Sequence, residues 1–158
     1  MRASPIPTAL AVAAAVAGCA GPMGDGVVSV PLDATSRNAG EIGRAFLIPR
    51  GTETDVVVEV SGVPLLVTSR PVHLYTFLYD GRCDRLPANP MYALTDRVLA
   101  QSGRSASATP ASGPFTVSNT APLPFEALHR ARYAIVIRTS PADGSVEIFC
   151  GNIEAPRD

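Results

Sequence analysis

The chain has no lysine: all 13 of its basic residues are arginine, set against 14 acids for a net charge of −1. These arginines form no basic run, which argues against nucleic acid as a partner and against an electrostatic membrane role. Histidine is scarce, at two residues in 158. No Gly-x-Ser-x-Gly elbow is present, so a serine hydrolase has no support. No glycine-rich phosphate loop is present either. Asp80, Asp84 and Asp96 are too loosely spaced for a calcium loop. There is no internal repeat and no convincing long amphipathic helix. Long apolar runs are also missing: Ala9 to Ala17 is unbroken Ala, Val and Leu, well short of the roughly 20 residues that a membrane span needs.

What is present begins with that short apolar stretch. Arg2 is the only charge before it, and it ends in Val16-Ala17-Gly18-Cys19. An apolar residue, two small residues and a cysteine resemble the lipobox of bacterial lipoproteins. The resemblance implies that residues 1–18 are a signal peptide and that Cys19 is lipidated and becomes the first mature residue. An ordinary secretory signal cut nearby is the alternative. One acyl chain anchors marginally, at about 0.8 kcal/mol per buried methylene; the three chains of this family would make release negligible. Ala20 stands where, in enteric bacteria, an aspartate retains lipoproteins in the inner membrane. Its presence therefore implies the outer membrane, with the domain facing the periplasm.

Cleavage before Cys19 removes 18 of 158 residues and leaves 140, with 12 of the 13 arginines. That length suits one domain with a real core. Residues 19–26 are small and read as a lipidated cysteine with a flexible tether, and residues 27–158 as one β-sandwich domain. Cys83 and Cys150 remain. In an oxidising compartment an even pair reads as a disulfide, with two separate buried thiols as the alternative.

From Val27 the texture is β. Val27–Val30, Arg44–Pro49, Asp55–Val60, Val72–Tyr79, Phe115–Ser118, Tyr133–Thr139 and Val146–Ile153 are expected strands. In Asp55–Val60, alternation puts Val56, Val58 and Val60 on one face. In Val72–Tyr79, Leu74, Thr76 and Leu78 share one face and His73, Tyr75, Phe77 and Tyr79 the other. Arg97–Gln101 is a short strand or one helical turn. Ser102–Gly113 reads as a mobile loop, and Phe125–Arg130 as a turn of helix. Pro141-Ala142-Asp143-Gly144 is a turn that makes the last two strands an antiparallel hairpin. The expected class is all-β, an antiparallel Greek-key sandwich or barrel.

Three segments together resemble the copper/zinc superoxide dismutase family. Pro71-Val72-His73-Leu74-Tyr75 is similar to its His-x-His strand, with Cys83 following eight residues after Tyr75. Phe149-Cys150-Gly151-Asn152-Ile153 is similar to its final Cys-Gly-x-Ile strand, and Arg132–Arg138 to the strand before it. The resemblance covers Val72 to Ile153 and implies a dismutase-like scaffold with Cys83 bonded to Cys150. An immunoglobulin-like sandwich is the alternative. The family holds its metals with six histidines and an aspartate. Here Tyr75 replaces the second histidine of His-x-His, and Ile137 or Arg138 stands where a copper ligand is expected. One histidine cannot hold a redox copper, so no metal, cofactor or catalysis is expected.

His73, Tyr75, Phe77 and Tyr79 form a candidate binding surface if the leucine face is the core. The alternative is that this row is itself core. For His73 alone the alternative is a hydrogen bond among aromatic neighbours, and His129, between Glu126 and Arg132, reads as a solvated loop residue. Arg82 and Arg85 bracket Cys83 and either bind an anion or are simply solvated. The functional expectation is a lipid-anchored envelope lipoprotein, a non-catalytic binding or structural module with an envelope protein as possible partner. The alternative is a periplasmic metal-handling or oxidative-stress protein using His73 and a redox-active disulfide.

Overall fold

The β-branched runs do become strands. A computed structural model describes residues 26–103 and 112–154. Residues 1–25, which hold the expected signal peptide, Cys19 and most of the expected tether, lie outside the described residues, as does most of the Ser102–Gly113 segment. The strands are β1 (Val28–Ala34), β2 (Gly43–Arg50), β3 (Glu53–Gly62), β4 (Tyr75–Asp80), β5 (Tyr92–Leu94), β6 (Gln101–Ser102), β7 (Ser112–Ala121), β8 (Tyr133–Arg138) and β9 (Glu147–Asn152), with one short helix, α1 (Phe125–Arg130). They form one curled antiparallel sheet in the order β5-β4-β8-β9-β1-β2-β3-β7-β6. The all-β antiparallel expectation holds, as does the β8–β9 hairpin.

Strand β1 joins the two halves of the sheet. Val28 to Leu32 pair with β2, then Asp33 and Ala34 pair with β9. Pro31 lies in this strand although it cannot donate to a ladder. It is tolerated because β9 pairs with β1 only beyond it. The crossing is close. A Cβ on Gly151 would come within 2.4 Å of the Pro31 carbonyl oxygen, and one on Gly43 within 2.8 Å of the Phe149 ring. Both positions need glycine because two backbones, or a backbone and a ring, occupy the space a side chain would take.

Both halves turn an apolar face into one core. Val56, Val58 and Val60 of β3 are buried there, as their alternation requires. They meet Leu78, Ile135, Ile137 and Phe149 from the other half. Burying side chains of this size contributes about 1.5–3 kcal/mol each. Helix α1 follows Pro124 and closes one end with buried Phe125 and Leu128. Strand β9 carries a bulge: Ile137 pairs with Phe149 but Arg138 with Glu147. The extra residue lets Ile148 and Phe149 both face the core.

The pairings also give the sheet two poles. The β2–β3 turn around Gly51 and the start of β1 at Val28 lie at one end. The end of β3 at Gly62, the β8–β9 turn and Tyr75 lie at the other. Ten residues of β3 separate them, about 30 Å along the strand.

Candidate functional site

Alternation in β4 divides its side chains between two environments. Leu74, Thr76 and Leu78 point into the main core and are fully buried. His73, Tyr75, Phe77 and Tyr79 take the opposite face. They are not a continuous exposed row. His73, Tyr75 and Phe77 are half-buried, whereas Tyr79 is 2% exposed. Tyr79 belongs to a second, smaller apolar cluster with Ala134, Val136 and Cys150, against which Phe77, Cys83 and Leu86 pack. The expectation of an open surface is corrected at Tyr79: the segment after β4 folds back over it.

The disulfide holds that segment in place. Cys83 and Cys150 are bonded, with Cα atoms 5.8 Å apart. The Cys83 N–H donates to the Asn152 side chain at 2.9 Å, and the Gly81 N–H donates to the Arg132 carbonyl at 2.7 Å. Three links thus pin the start of the covering segment to β8 and β9.

Arg138 completes the face. Its register partner on β4 is Tyr75. Its guanidinium lies 5.8 Å from the Phe77 ring centre and 5.9 Å from that of Tyr79, close enough for cation–π attraction. It also reaches Glu147 at 3.5 Å, with both side chains about one-third exposed. Sequence reasoning noticed Arg138 only as a departure from a ligand pattern. The signal that could have found its role is the β8 alternation of Ala134, Val136 and Arg138 beside an aromatic strand.

These residues do not fit the copper and zinc of the resembling family. The sequence resemblance aligns Tyr75 with the second imidazole, and the Arg138 guanidinium lies over the Phe77 and Tyr79 rings of the same face, where its charge opposes a metal cation. Among the described residues, no three His, Cys, Asp or Glu side chains gather in a way that could hold a metal ion.

His73 sits at the pole that carries the β8–β9 turn, in a backbone bridge with Leu99. In that turn the Asp143 carboxylate accepts from the Ser140 hydroxyl at 2.8 Å and from the Ser69 N–H at 3.0 Å. Those bonds, the one from Ser140 first, hold its pKa below the usual carboxylate range. Among the described residues no hydrogen bond joins Ser140 to His73, so the three side chains do not form a nucleophile relay. His129 is not on a loop. It lies on α1 and stacks on Phe125, one helical turn earlier, with ring centres 5.2 Å apart.

The Ser69–Asp143 bond also fixes a feature that sequence reasoning missed. Val67 and Thr68 donate their N–H groups to the Pro64 carbonyl, making a turn with its apolar side chains outward. Leu65 is 63% exposed, Leu66 100% and Val67 43%. A run of three aliphatic residues is ordinarily read as core. Here the turn after Val63 puts them in solvent, at the same pole as His73 and Tyr75. Contiguous exposed aliphatics of this kind mark interaction sites more often than scattered ones do.

No protein-family model matches the chain, and neither a curated protein nor a solved structure is significantly similar to it.

Proposed function

We propose that this chain is a lipid-anchored, non-catalytic module of the bacterial envelope, held at the outer membrane through Cys19, facing the periplasm and binding an envelope protein. The observation that carries this reading is polarity. The lipobox-like Val16-Ala17-Gly18-Cys19 precedes β1 by only a short tether, and β1 enters the sheet at one pole. The exposed Leu65-Leu66-Val67 turn belongs to the other pole. A bilayer that held Cys19 would lie at the first pole, so the apolar turn would face away from it. An exposed aliphatic turn at the same pole as Tyr75 suits a protein pocket. On this reading the scaffold is a metal-free relative of the dismutase-like sandwich, a view that the bonded Cys83–Cys150 pair supports.

The test places a photoreactive residue at Leu66 of the full-length chain in cells, with Thr52 at the opposite pole as control. The reading expects one discrete protein adduct from position 66 and none from 52. It also expects Leu66→Asp and Tyr75→Ala to weaken that association with little change in melting temperature. Adducts to lipid alone at position 66, or equal adducts at both positions, would contradict it.

A further inference from the structure

Arg82 and Arg85, three residues apart in the segment after β4, share a cleft with a third arginine that is distant in sequence. Arg82, Arg85 and Arg132 line one cleft with Gly81 and Asp84, about 330 Å³ in volume. We infer that this cleft binds a phosphate group.

Two observations support a built site. The frame is fixed. Arg82 and Arg85 pair across a tight turn, in which the Arg85 N–H donates to the Arg82 carbonyl at 2.9 Å. The disulfide at Cys83 and the Gly81–Arg132 backbone bond clamp that turn to β8 and β9. Gly81 packs closely against that turn, because a Cβ there would press on the Arg85 carbonyl oxygen at 3.0 Å. The charge is unbalanced. Asp84 is the only acid in the lining, against three arginines, and its ion pair with Arg82 is long, at 3.7 Å, and exposed. Among the described residues, neither Arg85 nor Arg132 has a carboxylate partner. A chain of net charge −1 therefore concentrates unpaired positive charge in one concavity.

The ligand class follows from the donors. One guanidinium satisfies a carboxylate through its paired N–H groups, whereas three exposed arginines lining one cleft can together match the several oxygens and higher charge of a phosphate. The cleft has room for the group that carries the phosphate. Its placement also bears on the source. The Cys83 N–H donates to the Asn152 side chain, and Asn152 lines a second cleft with Val28 to Pro31 at the start of β1. The arginines thus share the pole at which the tether joins. If Cys19 is lipidated, phospholipid headgroups lie within reach; a soluble phosphate ester would meet the same donors. The phosphate chemistry stands on the cleft alone, and only the lipid source rests on the anchor reading.

The experiment uses the full-length chain with Cys19→Ser, so that no lipid anchor contributes. One arm titrates it with inorganic phosphate by calorimetry. The other measures co-sedimentation with vesicles of phosphatidylcholine, alone or mixed with phosphatidylglycerol. Arg85→Gln/Arg132→Gln is compared with Arg37→Gln/Arg44→Gln, which removes the same charge from exposed arginines outside the cleft. The leader's apolar stretch is common to all. Binding in at least one arm should fall about fivefold for each cleft arginine removed, and stay nearly constant in the control. Loss in the vesicle arm alone identifies the headgroup as the source, and loss in the phosphate arm identifies a soluble ester. No binding in either arm, or equal loss in both double variants, overturns the inference. Neither outcome depends on whether the natural chain is lipidated.

Discussion

Thr76 lies between Leu74 and Leu78 on the inward face of β4, fully buried, with its hydroxyl unpartnered. A buried hydroxyl without an acceptor loses its hydration and gains nothing, at a cost of about 1–3 kcal/mol. Valine has nearly the same shape and no polar atom. Thr76→Val should therefore stabilise the protein by about 1 kcal/mol or more, read as a higher urea midpoint with an unchanged slope. A lower midpoint would show that the hydroxyl has a partner after all. The face on which Thr76 lies was legible from alternation alone. Its missing partner was not, because that depends on strands remote in sequence. Tyr79 teaches the same lesson from the other face. Alternation put it opposite the leucines, but whether it met solvent depended on Cys83 and Leu86 folding back over it.

At the scale of elements, strands with long β-branched runs were readable and short or interrupted ones were not. β3 declared itself through Val56, Val58 and Val60. β5 has only three residues, Tyr92–Leu94, too few for a period-two signal, and it was missed. β1 runs on through Pro31 to Ala34, whereas a strand ending at Val30 was expected. Proline ordinarily ends a strand, and here the strand changes partner from β2 to β9 just beyond it, after Leu32. The Leu65-Leu66-Val67 turn was hidden for the opposite reason: its composition is that of a core segment. Cysteine counting did find the element that ties β9 to the segment after β4. That bond closes a loop across 67 residues, and the chain-entropy model assigns such a loop about 4 kcal/mol. Cys83→Ala should lower stability by about 2–5 kcal/mol in chemical denaturation. An unchanged midpoint would mean that the backbone bonds from Gly81 and Cys83 hold the segment unaided.

For the whole molecule, the account rests on two poles with different chemistry. One joins the tether and gathers Arg82, Arg85 and Arg132. The other carries Leu65 to Val67, His73, Tyr75 and the Asp143 turn. The proposed module, with one end at a membrane and the other turned to a protein, would need this asymmetry; β3 runs nearly the whole way between the two poles. The proposed orientation follows only if the chain is held at Cys19. The most direct test is metabolic labelling of cells with a radioactive fatty acid, comparing the wild type with Cys19→Ser. The account predicts label in the wild-type protein, shortened by its leader, and none in Cys19→Ser, which should keep its full length. Equal label in both, or none in the wild type, would contradict it.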